Sequence, residues 1–342
     1  MNTSTWWAAA AMSLALGLAQ AAEVPGAPAY RPQLRVSTTL RISAHDQMSA
    51  VTSYWSEGFR RFHPDARIEI TLKGSAAAMP ALYTGYADIA LLGRETNITD
   101  ENGFGRVKQY KPTQFELMGG SLDVPGKSDA LVVYVHRDNP LRAISLAALD
   151  AAFGHERRRG HVPVSTWGDL GLGGAWAARP LSLYGYDIDS GTGVYFRRTV
   201  LGNSFKLNWD SLREFKDGRR MDGTVLKAAE QIAAAMKDDP TALAIGSLRY
   251  RHDTMRALAI VPDDGGPPVE ATRETLLAGT YPLARRTLAF VDVPPGKSID
   301  ANVREFLRYV LSREGQADVA RDHGYLPLPA AKLQAERARL DD

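Results

Sequence analysis

Between residues 48 and 62 the apolar side chains Met48, Val51, Tyr54, Trp55, Phe59 and Phe62 recur every three or four positions, the period of a helix with one buried face. His63-Pro64-Asp65 should end it. On either side the period shortens to that of strands, at 34–37, 40–43 and 67–72, and the run Ala87-Asp88-Ile89-Ala90-Leu91-Leu92 reads as a further, buried strand. Gly74-Ser75 turns the chain into a small-residue stretch, 76–83, that the pattern predicts to be helical. Strands alternating with helices predict a mostly parallel sheet covered on both faces, with right-handed crossovers.

A second alternating block starts with the apolar run Ala130-Leu131-Val132-Val133-Tyr134-Val135 and continues through 146–153, 181–186 and 195–201. It predicts a second lobe. Near the end, 288–293 reads as a strand and 303–311 as a helix burying Phe306, Leu307, Val310 and Leu311; Pro327, Pro329 and a charged tail follow. The expected organisation is one lobe from 22–128 with 287–331, a second from 129–286, and the tail at 332–342. No internal repeat is visible.

Residues 8–19 are apolar but fall short of the roughly 20 residues of a membrane-spanning helix. Ala19-Gln20-Ala21 supplies the small-polar-small pattern of a secretory cleavage site, so 1–21 reads as a signal peptide, although 1–7 lack the usual Lys or Arg. Pro25, Pro28 and Pro32 would isolate an N-terminal core helix, which favours the leader. The expected location is therefore periplasmic or secreted, with nothing spanning a membrane after cleavage.

At 342 residues, the chain suits two ordinary domains. Forty-one Lys and Arg against 39 Asp and Glu leave +2, too little for a protein devoted to nucleic acid. Zero Cys removes disulfides, thiolate metal sites and thiol nucleophiles. The chain lacks a Gly-x-Ser-x-Gly elbow, a Ser-x-x-Lys pair and a His-Glu-x-x-His helix, so neither an enzyme nor a metal or other cofactor is expected. The basic run His155-Glu156-Arg157-Arg158-Arg159-Gly160-His161 reads as a solvated loop, and Trp55, Trp167, Trp176 and Trp209 as packing residues.

Two junctions of coil and helix carry the candidate chemistry. At Gly74-Ser75 and at Ser190-Gly191-Thr192-Gly193, a hydroxyl residue suited to capping stands beside glycine, and each helix start leaves unpaired N–H groups that attract anions. Facing each other across a cleft, the two would form an anion site; taken singly, both are ordinary N-caps.

Longer runs resemble the PstS-like periplasmic phosphate-binding proteins of ABC importers. They are Arg61-Phe62-His63-Pro64-Asp65-Ala66-Arg67-Ile68-Glu69-Ile70, Lys73-Gly74-Ser75, and Ala87-Asp88-Ile89-Ala90-Leu91-Leu92-Gly93-Arg94-Glu95. Further on, Thr166-Trp167-Gly168-Asp169-Leu170-Gly171-Leu172, Ser190-Gly191-Thr192-Gly193 and Tyr281-Pro282-Leu283-Ala284-Arg285 fit the same group in the same order. The resemblance implies an α/β, two-lobed periplasmic-binding-protein fold of type II, each lobe a mixed, mostly parallel sheet flanked by helices. It further implies capture of phosphate or a similar small anion in the interlobe cleft by a monomer that delivers it to an ABC permease.

Carried over by motif, the ligand-binding residues are Asp46, Ser75, Arg94, Ser190, Gly191 and Thr192. This chain departs from the family at neighbouring positions. His45 and Gln47 stand where small hydroxyls are usual, Gly93 replaces a Ser, and Tyr186 stands where an Arg is usual. His45, Gln47 and Tyr186 are therefore candidates for a changed pocket, with a protonated His45 replacing part of the missing charge. The alternative is a homologue impaired in ligand binding that serves as a periplasmic sensory or protein-interaction module.

Overall fold

A computed structural model describes residues 26–341; the expected leader, 1–21, lies outside them. The first lobe is built from β1 (Thr39–Ala44), a 3-10 turn at Asp46–Met48, α1 (Ser49–Phe62), β2 (Arg67–Leu72), α2 (Ser75–Tyr83), β3 (Ile89–Leu92), α3 (Ile98–Lys108) and β4 (Thr113–Gly119). The chain then crosses to a second lobe. This comprises β5 (Val132–His136), β6 (Ala143–Ser145), α4 (Leu146–Phe153), β7 (Ser182–Tyr186), α5 (Gly191–Thr199) and β8 (Leu212–Phe215). It continues with β9 (Gly218–Arg219), β10 (Val225–Leu226), α6 (Ala228–Met236), β11 (Ala242–Gly246), β12 (Met255–Ala257), β13 (Ala259–Val261) and α7 (Arg273–Ala278). The return to the first lobe brings β14 (Arg286–Val291), α8 (Ala301–Val310), α9 (Arg313–Arg321) and α10 (Ala330–Asp341).

The first sheet has the order β2-β1-β3-β14-β4 and the second β12-β5-β11-β7-β8. β1 pairs in parallel with β2 and β3, whereas β14 runs antiparallel to β3 and β4. In the second sheet β7 pairs in parallel with β8 and β11, while β5 is antiparallel to β11 and β12. Parallel pairing thus accounts for half of each sheet, less than the alternation of elements led one to expect. In the first sheet the reason lies in β14, which re-enters from the other lobe and slots in between β3 and β4 against their direction, and in the second it lies in β5, which runs against β11 and β12.

Burial follows the strand period. In β3, Ile89 and Leu91 join the core containing Trp55, Phe59, Phe306 and Tyr309, while Ala90 and Leu92 face Ala78, Met79, Leu82 and Phe104 on the other side. The second lobe has its own core around Val133, Val135, Phe153, Trp167, Leu183 and Ile245. Separate cores for the two sheets make two lobes. The segments joining them are bonded to one another: Gly120 N–H donates to the Arg285 carbonyl at 2.8 Å and Leu131 N–H to the Leu283 carbonyl at 3.0 Å. Both crossovers therefore form a single narrow neck.

One expectation fails near the start of the described residues. Residues 34–37 form no strand, because the N–H of buried Val36 goes to His63 Nδ1 at 3.1 Å instead of a ladder partner. The charged tail is the helix α10, which buries Leu333, Glu336 and Leu340 and is tied back by Arg308 to Asp341 at 2.6 Å. In the second block, 195–201 falls in α5 and the turn after it. Among the described residues no helix is long and apolar enough to cross a membrane.

Candidate ligand-binding site between the lobes

In open α/β sheets, ligand loops gather at the carboxyl ends of parallel strands. Here β1 ends at Ala44 before His45-Asp46-Gln47, β3 at Leu92 before Gly93-Arg94-Glu95, and β7 at Tyr186 before Ser190-Gly191-Thr192. Gly74, at φ 81°, is the cap of α2, so Ser75 becomes its first helical residue and does not cap it. The buried Ser75 hydroxyl accepts from Gly93 N–H at 3.1 Å, which joins the α2 start to the loop after β3 and leaves its own proton to donate.

From Gly93 the contact passes across the molecule. A Cβ placed on Gly191, the first residue of α5, would lie 3.1 Å from Arg94 Cβ and 3.2 Å from its Cδ. The starts of α2 and α5 are thus linked through the Gly93-Arg94 loop, by the Ser75 hydroxyl on one side and the Arg94 stem on the other. Ser190 caps α5: its Oγ accepts from Gly193 N–H at 3.0 Å and donates to the Asp187 carbonyl at 2.7 Å, so that hydroxyl is spent within its own turn. The amides of Gly191 and Thr192, in the first turn, have no acceptor inside the helix. These are the donors α5 offers to the cleft.

The other sequence candidates have different fates. His45 accepts from Gln47 N–H at its Nδ1, at 3.2 Å, and its Nε2 lies 3.3 Å from Asp46 Oδ1. Burial lowers the His45 pKa, Arg94 and Lys127 lower it further, and Asp46 opposes them, so the ring is neutral near neutrality and does not supply the positive charge expected of it. Its ring lies against Gly93, where an added Cβ would approach Cγ to 3.0 Å. Two departures from the family are therefore one steric exchange. Asp46 is exposed, and the Gln47 side chain packs against Gly126 of the crossover. Burial raises the Tyr186 hydroxyl, with Asp129 adding to the effect, and keeps it a neutral phenol.

Arg94 is anchored to Asp100 at 2.5 Å and to the Glu95 carbonyl at 2.8 Å; Asp100 is also half of the capping box of α3. A residue missed by the sequence reading completes the site. Arg285, on the returning crossover and 7% exposed, pairs with Glu95 at 2.6 Å, stacks 5.4 Å over the Tyr195 ring and reaches within 3.5 Å of Thr192 Oγ1. On the outgoing crossover, Asp129 Oδ2 accepts from the Ser247 hydroxyl at 2.8 Å while Oδ1 is buried without a partner. Burial pushes the Asp129 carboxyl up to about 6 against the pull of Ser247, Arg249 and Arg285. Tyr281-Pro282-Leu283-Ala284-Arg285 was visible in the sequence, but spacing along the chain does not reveal that the crossover turns its Arg toward Glu95. At the mouth, Arg198 of α5 joins Glu101 and the Thr96 hydroxyl, linking the lobes.

A family model described as "PBP superfamily domain" matches residues 29–314. The chain is 31% identical over 91% of its length to "Phosphate-binding protein PstS" of Pseudomonas aeruginosa, covering 90% of that protein. This chain belongs to the PBP superfamily, among its PstS-like proteins. A second relative, "Protein SphX" of Synechococcus elongatus, is 25% identical over 83% of the chain and 76% of that protein. The crystal structure of PstS from Borrelia burgdorferi shares the fold, with a TM-score of 0.53 at 15% identity over 85% of this chain and 99% of that one. Within the PstS-like frame, this chain has two guanidinium groups at the cleft, Arg94 and Arg285, each already facing a carboxylate of its own.

Proposed function

We propose that this protein is an exported solute-binding protein that captures phosphate or a related oxyanion between its lobes and hands it to an ABC permease. It acts as a monomer and by hydrogen bonding, without covalent chemistry. Membership among the PstS-like proteins supports this reading, and the contact of Arg94 with Gly191 carries it. That contact seats the stem of Arg94 against the start of α5, whose two open amides are the kind of donor group that holds an oxyanion. The Ser75 proton and the Thr192 hydroxyl add neutral donors, and Asp129 offers an acceptor to a protonated guest. Closure about the bonded crossovers is a hinge motion that brings both halves onto the guest.

One observation favours a second reading, in which the fold serves as a periplasmic sensory or protein-interaction module. Arg94 and Arg285 are both neutralised internally, by Asp100 and Glu95. An anion must then share these groups, which lowers its net gain. Calorimetric titration with phosphate, sulfate and small phosphorylated compounds separates the readings. Saturable heat with an oxyanion supports capture; silence with all of them supports the interaction role.

A further inference from the structure

The basic run after α4 does not behave as a uniform solvated loop. Arg158 pairs with Glu156 at 2.7 Å and donates to the Gly202 carbonyl, and Arg159 pairs with Asp263 and donates to the carbonyls of Thr199 and Val200. The Arg157 carbonyl accepts from Gly160 N–H at 2.9 Å, but its guanidinium has neither an ion-pair nor a hydrogen-bond partner among the described residues, and its backbone is left-handed, at φ 48°. It lines a recess of about 390 Å³ on the second lobe, within the size range of small-molecule sites. Leu181, Leu183 and Leu207 supply an apolar floor, and Trp209 stands in the wall 51% exposed. The wall is fixed, since the Asn208 amide donates to the Ala152 carbonyl at 2.6 Å.

The lining thus combines one unpaired guanidinium, one half-exposed indole and a greasy base. A guanidinium that no carboxylate pairs with, although Asp150 and Asp210 stand in its neighbourhood, is free to grip a planar anion with two N–H groups. A half-exposed indole above leucines selects a flat apolar body. Asp210, also in the lining, weighs against a second negative charge on the guest. We propose that this recess is a second binding site, separate from the interlobe cleft, for a small aromatic monocarboxylate, with its carboxylate on Arg157 and its ring against Trp209.

The test is calorimetric titration of the purified protein with phenylacetate and with 2-phenylethanol, its uncharged counterpart. Phenylacetate should bind saturably, and Arg157→Gln should weaken it about tenfold or more, the scale of one charge-assisted hydrogen bond. Arg158→Gln, in the same loop but already paired, should leave phenylacetate binding unchanged, and 2-phenylethanol should bind the unaltered protein about as poorly as phenylacetate binds Arg157→Gln. Unchanged melting temperatures would show that both variants fold. No heat with phenylacetate at millimolar concentration, or equal affinity in the Arg157→Gln variant, would overturn the proposal.

Discussion

Gly191 of the second lobe rests directly on the side chain of Arg94 of the first, with room for a hydrogen but not for a methyl group at ordinary contact distance. The glycine is not there for an unusual backbone angle; it is there because another lobe's guanidinium stem occupies the space. Gly191→Val should therefore hold the lobes apart and weaken oxyanion binding by about tenfold or more, equivalent to roughly 1.4 kcal/mol. Gly191→Ala should have a smaller effect in the same direction. Titration calorimetry of the two variants checks the order.

His45 and Gly93 form a second steric pair, and they should be energetically coupled. Gly93→Ser restores the residue usual in the family but drives its side chain into the His45 ring, so it should cost about 1–3 kcal/mol as an overpacked site. In a His45→Ser background the same change should cost little. Urea unfolding of the two single variants and the double variant measures the coupling, and simple additivity would refute it.

Arg285 and Glu95 are a buried pair at the neck. Removing the cation alone, as in Arg285→Met, leaves Glu95 with its charge uncompensated and should cost about 3–5 kcal/mol. Adding Glu95→Gln to that variant should recover a substantial part. Chemical denaturation supplies both numbers, and a loss in the double variant equal to that in the single would show that the pair is not electrostatically linked.

Stability should also depend on pH through His63. It is fully buried, its Nδ1 accepts from Val36 N–H, and its Nε2 is 2.6 Å from the Tyr30 hydroxyl, which donates to Glu305 at 2.6 Å. Burial lowers its pKa, with Glu305 opposing and Arg35 adding, so the folded state prefers the neutral ring while the unfolded chain takes up a proton near pH 6.5. Its contribution is present above that value and is lost as pH falls toward the lower folded pKa. The unfolding free energy of the parent should drop more steeply below pH 6.5 than that of His63→Gln; parallel slopes would exclude His63 as the source.

The βαβαβ beat, α1, β2 and the helix near the end were all legible because amphipathic period and turn residues are local signals. Residue 36 looked like a strand position, but Val36 buries its side chain and gives its N–H to an imidazole, a contact no local period encodes. The two glycine-hydroxyl junctions were correctly found as helix starts. What the sequence left hidden was who occupies the space between them: the Arg94 stem on Gly191, the His45 ring on Gly93, and Arg285 and Asp129 delivered by two crossovers far apart in the chain. Each of these depends on how lobes and crossovers meet, and chain spacing says nothing of that.

A crystal structure of the protein grown with phosphate tests the central claim most directly. The account expects tetrahedral density between the lobes, within hydrogen-bond reach of Arg94 and the amides of Gly191 and Thr192. Phosphate seated elsewhere on the molecule, with the Arg94–Asp100 pair and the Gly191 contact undisturbed and nothing between the lobes, would contradict it.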